Sequence, residues 1–267
     1  MNASLTGDVR QHRAFPSSVL GNRRDVWVYL PPGYADHPDK RYPVLYVHDG
    51  QNVFDRSTAA FGVEWGLDET AERLIRDGRL PELIIVAAAN TPGRLDEYSP
   101  CPDPQHGGGG ADRYGRFLVE ELKPFVDGTY RTSRDAADTG VLGSSLGGLV
   151  SLHLGWTYPH VFGLVGALSP SLWWASGQAL EGIASRPEGG PGKLWLDAGH
   201  REGSDRDGNG VADMVDDARE LAARLHQGGF TREKDLHYRE FRDGAHNEAS
   251  WGARAGEVLQ ALFRDRS

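Results

Sequence analysis

Apolar residues recur along the chain in two spacings that predict strands and helices. Residues 23–30 alternate polar and apolar side chains and stop at a Pro-Pro-Gly turn, which predicts a half-buried strand at or near a sheet edge. Apolar runs without clean alternation predict strands buried on both faces. These runs cover 42–47, 83–89, 139–142, 162–168 and 193–196, and a further strand is predicted over 236–241. Apolar spacings of three and four predict helices over 65–76, 114–126, 146–158, 216–227 and 251–263.

The order of these elements predicts the fold class. Strand and helix alternate along the chain, so we expect an α/β fold with a mainly parallel central sheet, covered by helices on both faces and joined by right-handed crossovers. The length of 267 residues suits one domain, which we expect to span 1–267. Glycine and proline, at 35 and 15 residues, imply many tight turns between the elements.

Composition argues against several kinds of partner. The chain has 29 Lys and Arg against 38 Asp and Glu, a net charge of −9, so nucleic acid and anionic membranes are poor partners. The longest aliphatic run, 83–89, is far short of the roughly 20 residues of a membrane-spanning helix. No secretory signal is recognised near the N-terminus, and Cys101 as the only cysteine excludes an internal disulfide. We therefore expect a cytoplasmic protein. The sequence does not indicate its oligomeric state.

The segment Gly143-Ser144-Ser145-Leu146-Gly147 carries the strongest chemical signal. It fits G-x-S-x-G between an apolar strand and an apolar helix, the context of a nucleophile elbow. Such a turn strains the serine backbone, and the two glycines let strand and helix approach. Ser145 is predicted to be the nucleophile, and the Leu146 N–H at the helix N-terminus an oxyanion donor. The alternative is a glycine-rich turn with a serine cap, and Ser144 is interpreted as structural.

A serine nucleophile needs a base, almost always a histidine. His246 follows the predicted strand 236–241 and precedes the last helix, so we expect it above the carboxyl edge of the sheet beside Ser145. His226 and His237 fall within a predicted helix and strand and are interpreted as surface or packing residues. His246 is therefore the predicted base.

The base needs a carboxylate to orient it, and three candidates follow the strand 193–196. They are Asp197, Glu202 and Asp205. We favour Glu202, because Asp197 at the strand tip lies low whereas the longer side chain of a loop glutamate can reach a histidine on the next loop. In the alternative interpretation all three are solvated loop carboxylates and His246 is unpaired.

Several longer segments together resemble one family. They are WVYLPPGY, YPVLYVHDGQNVFD, GSSLGGLVSLHLGWTYPHVFG, LSPSLWW and GAHNEASW, and they span about residues 27–251. They are similar to the esterase family of α/β hydrolases that includes feruloyl and acetylxylan esterases, enterochelin esterase, the S-formylglutathione hydrolase group and mycolyl transferases. The resemblance implies an α/β-hydrolase fold, Ser145 as nucleophile and His246 as base. It also implies a second oxyanion donor at the Gln51 N–H, with Gly50 as the competing register.

Two loops are predicted to border the substrate. Trp173 and Trp174 follow the strand 162–168 and offer broad apolar rings for a planar acyl or sugar group, although they can equally be packing residues. Arg94, near Glu97 and Tyr98 on another loop, is predicted either to bind polar groups of the substrate or to pair with those neighbours.

An acidic segment between the predicted strand 193–196 and helix 216–227 fits a calcium-binding loop. It follows the D-x-D-x-[DN]-G pattern, with Gly210 at the sharp turn. The predicted ligands are the side chains of Asp205, Asp207, Asn209, Asp213 and Asp216 and the carbonyl of Val211. The alternative is a solvated acidic turn that caps the following helix. A bound calcium would stiffen the loop that carries the acid, and the chemistry itself is expected to need no cofactor.

These observations predict a serine esterase that hydrolyses small-molecule carboxylic esters through an acyl-enzyme. An acyltransferase that passes the same acyl group to an alcohol is one alternative. A non-catalytic relative that binds a carbohydrate or a siderophore is the other, and the presence of serine, histidine and acid candidates argues against it. The loops that would discriminate between natural substrates carry no readable code.

Overall fold

The computed structural model describes residues 4–184 and 189–264, and its strands form two sheets. The large sheet has eight strands in the order β1-β2-β4-β3-β7-β8-β9-β10, and β5 and β6 form a small ribbon. The strands are β1 (Asp8–Ser17), β2 (Asn22–Leu30), β3 (Val44–Val47), β4 (Ile84–Ala88), β5 (Pro102–Asp103), β6 (Gly107–Gly108), β7 (Thr139–Ser144), β8 (Leu164–Leu168), β9 (Lys193–Arg201) and β10 (Leu236–Ala245). From β4 to β10 in this order the neighbours are parallel, whereas β2 pairs antiparallel with both β1 and β4.

The helices lie on both faces of the large sheet. They are α1 (Leu67–Arg76), α2 (Arg94–Glu97), α3 (Ala111–Arg116), α4 (Lys123–Thr129), α5 (Leu146–Thr157), α6 (Gln178–Ala184), α7 (Asp213–Gln227) and α8 (Glu248–Phe263), with a π-helical segment Phe117–Leu122 and 3₁₀ turns Tyr34–Asp36, Gly50–Asn52 and Ala136–Asp138. Among the described helices, none is both long and apolar enough to cross a bilayer. The α/β prediction with a mainly parallel sheet is confirmed.

Alternate residues of the central strands divide the core into two layers. Val44 and Tyr46 of β3 pack with apolar residues of α3, α5 and α7, whereas Leu45 and Val47 pack with those of α1 and α8. Successive side chains of a strand point to opposite faces, so the two layers lie on opposite sides of the sheet. The strands that are predicted to be buried on both faces therefore contribute side chains to both layers.

Two strands differ from the sequence prediction. β1 is absent from the prediction because most of its side chains are exposed and give no apolar alternation; pairing with β2 forms it. β9 runs to Arg201 rather than ending at residue 196, because its parallel pairing with β10 continues through Gly199 opposite Phe241. Asp197 is therefore inside a strand, and the prediction that it lies at the strand tip is wrong.

Candidate active site

Ser145 lies at the sharp turn between β7 and α5. Its backbone has φ 57° and ψ −123°, a conformation that non-glycine residues seldom adopt, and its N–H donates to the Leu168 carbonyl at 3.0 Å. A side chain at Gly143 would come within 2.5 Å of the Gly147 backbone, so only glycine fits there. A methyl group added at Gly147 would lie 3.4 Å from its nearest neighbours, so glycine is less strictly required there than at Gly143.

His246 lies between the end of β10 and the start of α8, with its imidazole beside the serine. Its Nε2 is 2.9 Å from Ser145 Oγ, although the two residues are 101 positions apart. The imidazole ring packs edge-on against Trp251 at 5.0 Å between centroids. The side chain of Asn247 caps α8 by accepting from the Ser250 N–H at 3.0 Å, which fixes the backbone next to the histidine. The ring contact and the helix cap therefore both act on the position of this histidine.

Glu202 follows β9 directly and is the carboxylate that faces the histidine. Its Oε2 is 3.3 Å from His246 Nδ1, and its side chain is fully buried. Its Oε1 accepts from Ser169 Oγ and Arg254 Nη2, both at 2.8 Å. Burial acts to raise the pKa of Glu202, but the hydrogen bonds from His246, Arg254 and Ser169 outweigh it and hold the pKa below its ordinary value. A charged carboxylate thus faces Nδ1 and favours the tautomer that leaves Nε2 free to accept a proton.

The other two acid candidates have different surroundings. Asp197 is buried in β9 and accepts from Arg254 Nη1 at 2.5 Å and from the Trp195 indole at 2.7 Å. Burial raises its pKa to about 6 despite the opposing effect of Arg254. Asp205 is exposed and accepts from the backbone N–H groups of its own loop. Of the three candidates, the structure brings only Glu202 to His246.

The two predicted oxyanion donors lie on segments that contact each other. Leu146 is the first residue of α5, where an N–H has no acceptor within the helix. Gln51 is in the 3₁₀ turn Gly50–Asn52, which Asp49 precedes. Asp49 lies close to the start of α5, because a methyl group added at Gly147 would be only 3.4 Å from Asp49 Oδ2. A side chain at Gly50 would come within 2.5 Å of the Ala87 backbone, so that glycine is needed for clearance whichever of the two donates.

Arg94 holds the turn Gly50–Asn52, the predicted oxyanion turn, through Asp49. Its guanidinium donates to both Asp49 carboxylate oxygens, at 2.7 and 2.8 Å, and the Asn90 amide donates to the same carboxylate at 2.6 Å. Asp49 itself has a left-handed backbone, with φ 54°, and its N–H donates to the Tyr98 hydroxyl at 3.2 Å. The alternative in which Arg94 pairs within the protein therefore describes the structure, with Asp49 rather than Glu97 as its partner.

The two tryptophans have different environments. Trp173 is 41% exposed, and it lies two residues after Ser171, whose Oγ is 3.2 Å from Ser145 Oγ. Trp174 is 1% exposed, and its indole N–H donates to the Cys101 carbonyl at 2.8 Å. The packing interpretation therefore describes Trp174, and of the two only Trp173 has an exposed side chain.

The acidic loop folds partly around Asn209. The Asn209 amide nitrogen donates to Asp207 at 3.1 Å and to Asp216 at 2.8 Å, and its backbone N–H donates to Asp205 at 3.0 Å. The carboxylate of Asp213 is turned toward Arg206 and Ser204 instead. No group of three or more His, Cys, Asp or Glu side chains is placed to hold a metal ion in residues 4–184 and 189–264. As placed, an amide nitrogen rather than an oxygen faces the carboxylates, so calcium ligation needs this amide to rotate.

Two residues of the site have no counterpart in the sequence prediction. Arg254 bridges Asp197 and Glu202, and Ser169 donates to Glu202. Arg254 lies within the predicted helix 251–263 at the apolar spacing of Trp251 and Val258, and it is 3% exposed. A cation on the buried stripe of an amphipathic helix signals a buried carboxylate partner, and this signal was available in the sequence.

A serine at a strand-to-helix turn, beside a histidine from the loop after the last strand of a mainly parallel sheet, is the arrangement of an α/β hydrolase. Residues 17–260 match the family model Esterase, described as "Putative esterase", so the chain belongs to this family.

Individual relatives agree with the family match. The chain is 27% identical over 236 residues to Uncharacterized protein YbbA of Bacillus subtilis, covering 86% of each. It is 28% identical over 231 residues to Ferri-bacillibactin esterase BesA of the same organism, covering 78% of this chain and 75% of that one. An IroE-like serine hydrolase from Shewanella oneidensis has a similar structure, with a TM-score of 0.75, 26% identity, and coverage of 97% and 81%.

Proposed function

We propose that this protein is a serine esterase that hydrolyses small-molecule carboxylic esters. The observation that carries the proposal is the continuous path from Ser145 Oγ to His246 at 2.9 Å and from His246 to the buried Glu202 at 3.3 Å. Family membership over residues 17–260 supports it, and so does a relative that is named as an esterase.

In the proposed reaction Ser145 Oγ attacks the carbonyl carbon of the ester while His246 Nε2 takes the hydroxyl proton. The oxyanion of the tetrahedral intermediate accepts hydrogen bonds from the N–H groups of Leu146 and Gln51. The imidazolium then gives its proton to the leaving oxygen, the C–O bond breaks, and the alcohol departs. The same imidazole then takes a proton from water, whose oxygen attacks the acyl carbon of the acyl-enzyme. The imidazolium gives that proton to Ser145 Oγ as the Oγ–C bond breaks, which releases the carboxylic acid and restores the serine. Glu202 stabilises the imidazolium formed in each half of the cycle.

Each step of this reaction is performed by side chains and backbone groups of the chain, so the proposal includes no cofactor for the chemistry. The calcium loop 205–216 stays a prediction from its sequence pattern, and its role would be to stiffen the segment between β9 and α7. A cytoplasmic location and a single domain over 1–267 also stay part of the proposal. The latter is supported by one sheet that contains strands from residue 8 to residue 245.

Covalent labelling tests the nucleophile. A fluorophosphonate probe should label the wild type at Ser145 and should not label Ser145→Ala, whereas Ser144→Ala should be labelled normally. Ser144 is the matched control because it is the neighbouring serine, buried in β7. Turnover of an aryl ester by Ser145→Ala at the wild-type rate would refute the assignment. Product analysis with an added alcohol acceptor separates hydrolysis from acyl transfer.

A further inference from the structure

Exposed apolar side chains are concentrated next to the histidine of the site. Among the described residues four large apolar side chains are exposed, and two of them, Phe61 at 78% and Val63 at 41%, line the same recess. The recess has a volume of about 430 Å³, and its other wall is the segment from His246 to Ala249. A phenyl ring that stays this exposed in the free protein is available for burial by a ligand.

One side chain links the loop that carries Phe61 and Val63 to the turn Gly50–Asn52 and to the start of α8. Asn52, which is 8% exposed, accepts from the Ala60 N–H at 2.9 Å and donates to Glu248 Oε1 at 3.2 Å. Asn52 also belongs to the oxyanion turn, and its carbonyl accepts from the Trp65 N–H at 2.9 Å. The apolar wall is thereby held at a fixed place relative to His246.

The position of the recess identifies which part of an ester would enter it. In the proposed reaction the His246 imidazolium protonates the leaving oxygen, so that oxygen must lie within hydrogen-bond distance of Nε2. The group attached to the leaving oxygen then extends past His246, and His246 is one of the residues that line the recess. A separate groove of about 760 Å³ is lined by Gln51, by polar residues such as Asn22 and Asn90 and by apolar ones such as Trp27 and Pro92, and His246 is not among its lining residues. The Phe61–Val63 recess, and not this groove, therefore borders the residue that would protonate the leaving alcohol.

The geometry points to the Phe61–Val63 recess as a subsite for an apolar alkyl or aryl group on the alcohol portion of the ester. This inference rests on the proposed function and adds a substrate class to it. Phe61 is the principal specificity residue, because its ring has the most surface left to bury against the alcohol.

Esters that vary one portion at a time test the subsite. The first series has one acyl group with methyl, butyl, hexyl and benzyl alcohols, and the second has one alcohol with acyl chains of increasing length. In the wild type kcat/KM should rise along the first series, by up to about fourfold for each methylene that is fully buried. Phe61→Ala should lower kcat/KM for hexyl and benzyl esters about tenfold while leaving the methyl ester within about twofold. Leu5→Ala is the control, since Leu5 is 40% exposed and does not line the recess.

A second measurement separates the alcohol side from the acyl side. Deacylation starts after the alcohol has left, so its rate constant for one common acyl-enzyme should be the same in wild type and Phe61→Ala. The inference is overturned if Phe61→Ala lowers kcat/KM equally for methyl and hexyl esters. It is also overturned if Phe61→Ala changes how kcat/KM depends on acyl length, or changes the deacylation rate constant. In each of those cases turnover persists and the proposed function stands. Absence of turnover with every ester, together with absence of fluorophosphonate labelling, would instead refute the proposed function and the subsite with it.

Discussion

Replacing Glu202 by glutamine tests which carboxylate orients the base. Glutamine has nearly the same shape and its amide oxygen can still accept from Arg254, but the charge beside His246 Nδ1 is lost and an amide N–H can face that nitrogen instead. The imidazole then favours the tautomer in which Nε2 carries the proton and cannot act as base. In serine hydrolases such a change lowers kcat by about 10⁴, or about 5.4 kcal/mol of transition-state stabilisation.

Asp197→Asn is the matched control, because Asp197 and Glu202 each accept from the same guanidinium of Arg254. Asp197 is connected to His246 indirectly, through Arg254 and Ser169, which both donate to Glu202, so its replacement should change kcat by less than about tenfold. Steady-state kinetics on one aryl ester, with folding checked by circular dichroism, is sufficient. An equal loss of kcat in both variants, or a Glu202→Gln enzyme that keeps more than a tenth of the wild-type kcat, would refute the assignment of the acid.

The free energy of unfolding of the same two variants, relative to wild type, should change with pH in opposite directions. The pKa of Glu202 is lowered by folding, so its contribution is present above about pH 4.5, the ordinary value, and is lost as the pH falls through the folded value. The stability advantage of wild type over Glu202→Gln should therefore shrink on acidification. The pKa of Asp197 is raised to about 6, so its contribution is present below about pH 3.8 and is lost as the pH rises through 6. Denaturant unfolding at several pH values measures both.

Two further predictions concern the loops around the site. Arg94→Met removes both hydrogen bonds to Asp49 and should lower kcat about tenfold to a hundredfold with little change in KM, because the oxyanion turn loses its anchor while ground-state contacts persist; a change confined to KM would instead indicate that Arg94 binds substrate. Calcium at millimolar concentration should raise the thermal midpoint of wild type, and Asp207→Asn should abolish that shift; an identical shift in both proteins would show that the segment 205–216 does not bind the ion.

The pattern of apolar residues predicted the layers of the fold because burial on two faces leaves a direct trace in the sequence. The predicted run 83–89 forms β4, Ile84–Ala88, an interior strand of the sheet that is one residue shorter at each end than the prediction. β1 leaves no such trace, since it is an exposed edge strand that exists through backbone pairing with β2. The glycine motif located Ser145 for a related reason, because close approach of backbones excludes side chains at particular positions.

The carboxylate that faces His246 was harder to locate because its identity depends on strand length and on a distant cation. The extension of β9 to Arg201 does not follow from local spacing, and the spacing that marks Arg254 as buried does not say which carboxylates it meets. The extension places Asp197 inside the sheet and Glu202 just past its edge. The two tryptophans show the same limit of local sequence patterns. Trp173 and Trp174 are adjacent in sequence, but the path of the loop leaves the first exposed and the second buried.

The segments that carry the proposed base and the proposed oxyanion donor are joined by a contact between residues that are remote in sequence. Asn52 and Glu248 are 196 positions apart, yet their side chains are hydrogen-bonded at 3.2 Å. Asn52 follows the proposed donor Gln51, and Glu248 lies two residues after His246, so this bond links the segment of the proposed donor to the segment of the proposed base. Both side chains are buried, which makes an unpaired amide or carboxylate there costly. The catalytic geometry is thus a property of the assembled sheet edge, and each local motif supplies only one side of it.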